Sequence, residues 1–160
     1  MIETTTVLTH YLFPGTLYVN SRPSVVTTVL GSCVAVCLFD QEHYFGGINH
    51  FMLPYWNGDG LASPKYGNVA IKKLLEKMIL LGADKKNLIA KIFGGGEVID
   101  TTMANFYIGE RNIELAFQYM QDVQIPVVSS CVGGLYGRKI IYSTNTGVIQ
   151  HSFIDREVRQ

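Results

Sequence analysis

The chain has no stretch near the ~18 consecutive apolar residues of a membrane span, so insertion into a bilayer is not expected. Positive charge is missing where a secretion signal needs it: Met1-Ile2-Glu3-Thr4 opens with an acid, and cytoplasmic residence is the expectation. An excess of either sign is missing too. Thirteen basic and thirteen acidic side chains cancel, leaving no broad field to collect nucleic acid, which is not expected as a partner. Cysteine is scarce and odd in number. Cys33, Cys37 and Cys131 do not make a disulfide framework, and reduced thiols are expected. Nor is there a Pro/Gly/Ser-rich linker, a repeat or a low-complexity tract, so residues 1–160 read as a single domain. At that length a chain buries roughly 70% of its unfolded surface.

Among the apolar 48% of the residues, periodicity assigns elements. A short strand is expected at Thr16–Val19, after the Pro14-Gly15 turn. Val25–Leu30 and Val34–Phe39 are β-branched and apolar runs broken only by Gly31-Ser32, which suggests a kinked strand or tight corner. A polar turn at 40–43 and a returning arm over Phe45–Leu53 complete a hairpin. Ser63-Pro64 suggests a helix start, and Ala70, Leu74, Met78 and Leu81 recur at helical spacing before Gly82. Leu88–Phe93 reads as a strand leading into Gly94-Gly95-Gly96. A second helix begins near Ile108, with a stripe of Ile113, Phe117 and Met120. Strands follow at Ile125–Cys131, Lys139–Ser143 and Val148–Ile154, the last two joined at Asn145-Thr146-Gly147. Strands grouped before and after the helices predict an α+β fold: a mixed sheet core of two packed sheets flanked by two to three helices.

The chemistry concentrates at the Gly-Ser break in TTVLGSCVAVCLFD, residues 27–40. A cysteine just after such a corner can present its sulfur beside backbone N–H groups that the turn leaves unpaired. Cys33 is therefore a candidate nucleophile that needs a base. The hairpin brings His50 near the corner, whereas His43 sits in the turn and His10 and His151 lie toward the ends. The imidazole in turn needs a group to orient it. Thr27 and Thr28 are the candidates, and strand alternation puts them on opposite faces, so only one can serve.

Six blocks in order, TTVLGSCVAVCLFD, GGINHFMLP, KYGNVAIKKLLEKM, AKIFGGGEV, IGERNIELA and GGLYGRKIIYSTNTGVI, closely resemble the CheD family of bacterial chemoreceptor glutamine deamidases. The resemblance spans nearly the whole chain. It implies a cofactor-free cysteine hydrolase with a Cys-His-Thr triad, carried onto Cys33, His50 and Thr27, acting on the cytoplasmic domains of chemoreceptors. Backbone N–H groups around Ser32 and Cys33 would hold an oxyanion, Gly31 would let the chain bend, and Phe93, Gly94 and Gly95 would form a substrate wall. A CheC-type phosphatase is implied as a second partner, and docking it is the alternative function. One departure stands out: Cys131 occupies a position where the family usually has aspartate.

Competing readings are weaker. Cys37 lacks the corner and reads as core. A Cys33–Cys37 disulfide within one strand would span ~13 Å, against the ~7 Å limit. A zinc site from Cys33, Cys37, His50 and Cys131 lacks CxxC spacing, and no metal is expected. Ser32 lacks the elbow of a serine nucleophile. The triple glycine lacks the Gly-Lys-Ser/Thr of a phosphate loop. Arg111-Asn112 reads equally as a partner contact or an exposed helix face.

Overall fold

A computed structural model describes residues 6–97 and 107–154. The elements in chain order are strands β1 (Leu8–Tyr11), β2 (Leu17–Asn20), β3 (Ser24–Leu30), β4 (Val34–Asp40) and β5 (Phe45–Asn49), helix α1 (Gly67–Leu80), a short 3₁₀ turn (Lys85–Asn87), β6 (Leu88–Gly94), helix α2 (Ile108–Val123), β7 (Val127–Val132), β8 (Gly137–Ser143) and β9 (Ile149–Ile154). The strands form two mixed sheets, β1-β3-β8-β9 and β2-β5-β4-β6-β7. The expected α+β architecture with two packed sheets and two helices is what the chain adopts, and neither sheet closes into a barrel.

Three layers follow from where the apolar side chains go. Val26, Leu30, Ala35, Cys37, Ile48, Ile140 and Tyr142 fill the space between the sheets. Val34, Val36 and Leu38, on the opposite face of β4, pack with Ala70, Leu74 and Met78 of α1 and Leu115, Ala116 and Met120 of α2. β4 is thus covered on both faces and buried at every position. That is why its sequence runs apolar without alternation. β3, with one face packed, alternates as a half-covered strand should.

The β4–β5 hairpin and the β8–β9 hairpin both form antiparallel pairs as expected. Three local expectations change. β1 was not anticipated; it pairs parallel to β3 and is mostly exposed, so no apolar alternation announces it. Helix α1 starts at Gly67, not at Ser63-Pro64, because the carbonyl of Lys65 is taken by the N–H groups of Met52 and Leu53. Leu81 falls beyond the last turn and is 45% exposed. In α2 the buried stripe is rotated by one residue: Asn112, Leu115, Ala116 and Met120 face inward, with Ile113 and Phe117 at its flanks.

Candidate active site

Gly31–Cys33 is where the chain leaves the four-stranded sheet at the end of β3 and enters the five-stranded sheet at β4. A chain changing sheets leaves its ladder, and its carbonyls need other partners. All three find them on one side. The Gly31 carbonyl accepts from the Gly96 N–H at 3.0 Å, and the Cys33 carbonyl from the Gly95 N–H at 2.9 Å. The Ser32 carbonyl accepts from Asn112 Nδ2 at 3.0 Å. Among the described residues, no other residue's oxygen takes the N–H of Ser32 or Cys33.

The approach behind the corner requires glycine. Gly94 has φ +111°, and a Cβ there would lie 2.2 Å from the Cys33 carbonyl oxygen. Gly31, expected to let the chain bend, is not among the glycines with positive φ; the left-handed backbone occurs at Gly94 and Gly95, in the loop that supports the corner. The expected substrate wall is corrected in the same way. Phe93 is 4% exposed and belongs to the inter-sheet core, and Gly94 and Gly95 are buried. These residues hold the corner from behind and present no open surface.

His50 follows β5, and the hairpin register puts it beside the corner. Val34 and Phe51 are bridged antiparallel, continuing the β4–β5 register, so Cys33 falls opposite Met52 and diagonal to His50 on the same face. Diagonal neighbours are ~7–8 Å apart at the backbone and closer between side chains. The His50 backbone is held at both ends: its N–H donates to the Thr16 carbonyl at 3.1 Å, and its carbonyl accepts from Gly15 at 2.8 Å. The other histidines lie elsewhere. His10 stacks on Tyr18, His43 bonds Asp40, and His151 packs near Phe93.

Of the two candidate threonines, the one in contact with His50 is Thr28, whereas the resemblance had pointed to Thr27. Thr28 Oγ1 lies 2.7 Å from His50 Nδ1 and 2.7 Å from the Leu12 carbonyl oxygen. Thr27, one residue earlier, faces away across β3 and lines an outer groove with His10, Tyr11 and Lys139. Strand parity, with even-numbered β3 residues turned toward the second sheet, decides between two threonines that the sequence leaves equivalent.

The same two contacts set the tautomer. A carbonyl oxygen only accepts, so the single hydroxyl proton of Thr28 goes to Leu12. Thr28 Oγ1 must then accept from His50, which places a proton on Nδ1 and leaves Nε2 with its lone pair. Among the described residues, the buried His50 Nε2 has no hydrogen-bond partner. An imidazole so held is a base waiting for a proton.

Burial sets the resting protonation. It pushes the Cys33 thiol from 9.0 up to about 11, partly offset by the residue's own backbone N–H. It pushes the His50 imidazole from 6.5 down to about 4. Burial by itself thus favours the neutral thiol and the neutral imidazole near pH 7. Cys37 is 2% exposed in the inter-sheet core, with its thiol driven above the usual range by burial. Among the described residues, no group of three or more His, Cys, Asp or Glu side chains could hold a metal.

Asn112 and Arg138 were not anticipated as site residues. Asn112 is fully buried and donates from the same nitrogen to the carbonyls of Ser32 and Met52, each at 3.0 Å. Arg138 is 1% exposed; its guanidinium bonds the carbonyls of Cys131 and Gly133 and lies 3.7 Å from the Cys131 sulfur. Cys131 thus stands beside a buried cation. Only a one-residue shift in the helical stripe could have brought Asn112 forward, and nothing local marks Arg138.

The chain matches the family model for CheD chemotactic sensory transduction over residues 52–152. It is 54% identical to the probable chemoreceptor glutamine deamidase CheD of Trichlorobacter lovleyi over 140 residues, 88% of this chain and 87% of that protein. It is 44% identical to the protein of the same name from Sulfurimonas denitrificans over 147 residues, 91% and 94% of the two chains. A third relative, the probable chemoreceptor glutamine deamidase CheD 1 of Anaeromyxobacter dehalogenans, is 40% identical over 137 residues, 86% of this chain and 80% of that protein. With this corner, this histidine and matches of this extent, the chain belongs to the CheD family.

Proposed function

We propose that the chain hydrolyses glutamine side-chain amides on chemoreceptors to glutamate and ammonia, with Cys33 as nucleophile, His50 as base and Thr28 as the group that orients it. The observation that carries this reading is the unspent Nε2 of His50, its tautomer set by Thr28, on the same face as Cys33. The names of the relatives supply the substrate class.

His50 Nε2 accepts the thiol proton as Cys33 Sγ attacks the carboxamide carbon, since burial favours the neutral pair. The oxyanion lies toward the N–H groups of Ser32 and Cys33, each such donor typically worth ~3 kcal/mol. The tetrahedral intermediate expels ammonia, which takes the proton from His50, and a thioester remains. The same imidazole then removes a proton from water, whose oxygen attacks the thioester. Glutamate leaves and the thiol is restored. The balance is one amide and one water to one carboxylate and one ammonium ion.

A protein substrate suits the rim. Phe13 and Met52, on segments bonded to or adjoining His50, and Leu135 and Tyr136, on the loop bonded to Gly94 and Glu97, are exposed apolar side chains. Exposed apolar side chains of this kind favour a helical partner over a free amide. The same rim would serve a CheC-type phosphatase, which would then compete with receptor. No described helix is long and apolar enough to cross a membrane, and the receptor's cytoplasmic helices are the proposed targets.

The test is incubation with a receptor cytoplasmic fragment and peptide-level mass spectrometry for amide-to-acid conversion. Conversion that disappears in Cys33→Ala is expected. Conversion that persists in Cys33→Ala would overturn the mechanism, and wild type that binds receptor or phosphatase without converting any glutamine would favour the docking function.

A further inference from the structure

Asn112 is a fully buried carboxamide at the start of α2, and both of its protein partners are carbonyls. Carbonyls only accept, so the amide nitrogen faces them, and Oδ1 is buried without a partner among the described residues. The two carbonyls belong to the two arms of the site. Ser32 is on the nucleophile corner, and Met52 is two residues beyond His50. The Ser32 carbonyl also shares its peptide plane with the Cys33 N–H, and in a trans peptide the two point in opposite directions. Holding the carbonyl toward α2 therefore aims the Cys33 N–H away from α2. A hydrogen bond to the carbonyl also polarises the N–H of the same unit. Gly96 holds the preceding plane the same way through the Gly31 carbonyl at 3.0 Å, which aims the Ser32 N–H.

We propose that Asn112 is a positioning residue for attack on a carbonyl: it holds the Ser32–Cys33 peptide plane so that the Cys33 N–H meets the developing oxyanion, and it ties that plane to the segment carrying His50. The proposal rests on the reading of Cys33 as an acyl-accepting nucleophile. It does not depend on which amide is the natural substrate.

The test separates oxyanion stabilisation from thiol reactivity. Acylation of Cys33 by p-nitrophenyl acetate develops an oxyanion, whereas its alkylation by iodoacetamide does not. Both rates are measured for wild type, Asn112→Ala and Asn112→Ser, with Cys33→Ala as background. Acylation is expected to fall about 10- to 100-fold, less than the loss on deleting an oxyanion donor outright, while alkylation stays near the wild-type rate. Acylation that is unchanged, or that falls only in step with alkylation, overturns the proposal, because a purely structural role would move both. Should neither variant fold, ¹⁵N-labelled wild type is treated with an aldehyde that captures the thiol as a hemithioacetal. The Cys33 amide and Asn112 side-chain resonances are expected to move together, and a stationary Cys33 amide overturns the proposal. Wild type that acylates at Cys33 but leaves receptor glutamines intact would remove the receptor reading and leave the role of Asn112 standing.

Discussion

The two ends of β4 bury polar groups in opposite ways. At one end Asp40 is fully buried and both carboxylate oxygens are used: Oδ1 accepts from the N–H groups of Glu42 at 2.9 Å and His43 at 2.8 Å, and Oδ2 from the Asp84 N–H and His43 Nδ1, both at 3.0 Å. Burial alone would raise its pKa, but the backbone donors of His43, Asp84 and Glu42 outweigh it and hold the carboxyl below its ordinary value. At the other end the bonding is left incomplete. The five buried polar atoms without partners among the described residues are on Asn49, His50, Glu97, Asn112 and Arg138. Each is on the corner's supports or next to His50: Asn112 bonds Ser32, Arg138 reaches the Gly94 carbonyl, Glu97 follows Gly96, and Asn49 precedes His50. Where a buried polar group serves stability its valence is filled.

The comparison breaks most sharply at the nucleophile. Cys33→Ala is expected to reduce deamidation of a receptor fragment to background, and His50→Gln to slow it ~10²- to 10⁴-fold, both read by mass spectrometry. Thr28→Val should follow, with kcat down about 10- to 100-fold as the Nδ1 proton loses its acceptor. Thr27→Val, on the far face of β3, should leave kcat unchanged. A reversal of those two results would show that the tautomer is set some other way.

Asp40→Asn tests the filled end. It should lower stability by about 1–3 kcal/mol in denaturant titration at neutral pH and leave kcat of the folded protein unaltered. The sign with pH is fixed by the lowered carboxyl. Its contribution is full above the unfolded carboxylate value and is lost as pH falls through the folded one, so wild type and variant should converge only in acid. The smallest effect is in the pH profile. His50 must be neutral to act, and its folded value of about 4 lies below the ordinary 6.5. The acid limb of kcat/KM is expected near 4, with little change across 6.5. The unfolded chain takes up that proton below 6.5 while the folded one resists until about 4, so stability should decline over the same interval. Alkylation of Cys33 should climb toward about 11.

The readable parts of this protein are those carried by local pattern. The unbroken apolar run of β4, the helical spacing of Ala70, Leu74 and Met78, and the Gly-Ser break before Cys33 are properties of neighbouring residues, and a linear chain displays them. By the same means the sequence determined the α+β class and narrowed the candidate base to His50, because a hairpin register follows from its turn. Tertiary structure alone decided between Thr27 and Thr28, since a strand's two faces become unlike only when a second sheet covers one of them. It decided Asn112 as well. A one-residue rotation of α2 separates an exposed amide from one that spans the two arms of the site, and that rotation is set by packing against the five-stranded sheet. The covered Gly94 and Gly95 and the buried Arg138 belong with these. Their partners come from chain segments far apart in sequence, and no local pattern encodes a contact made at that range.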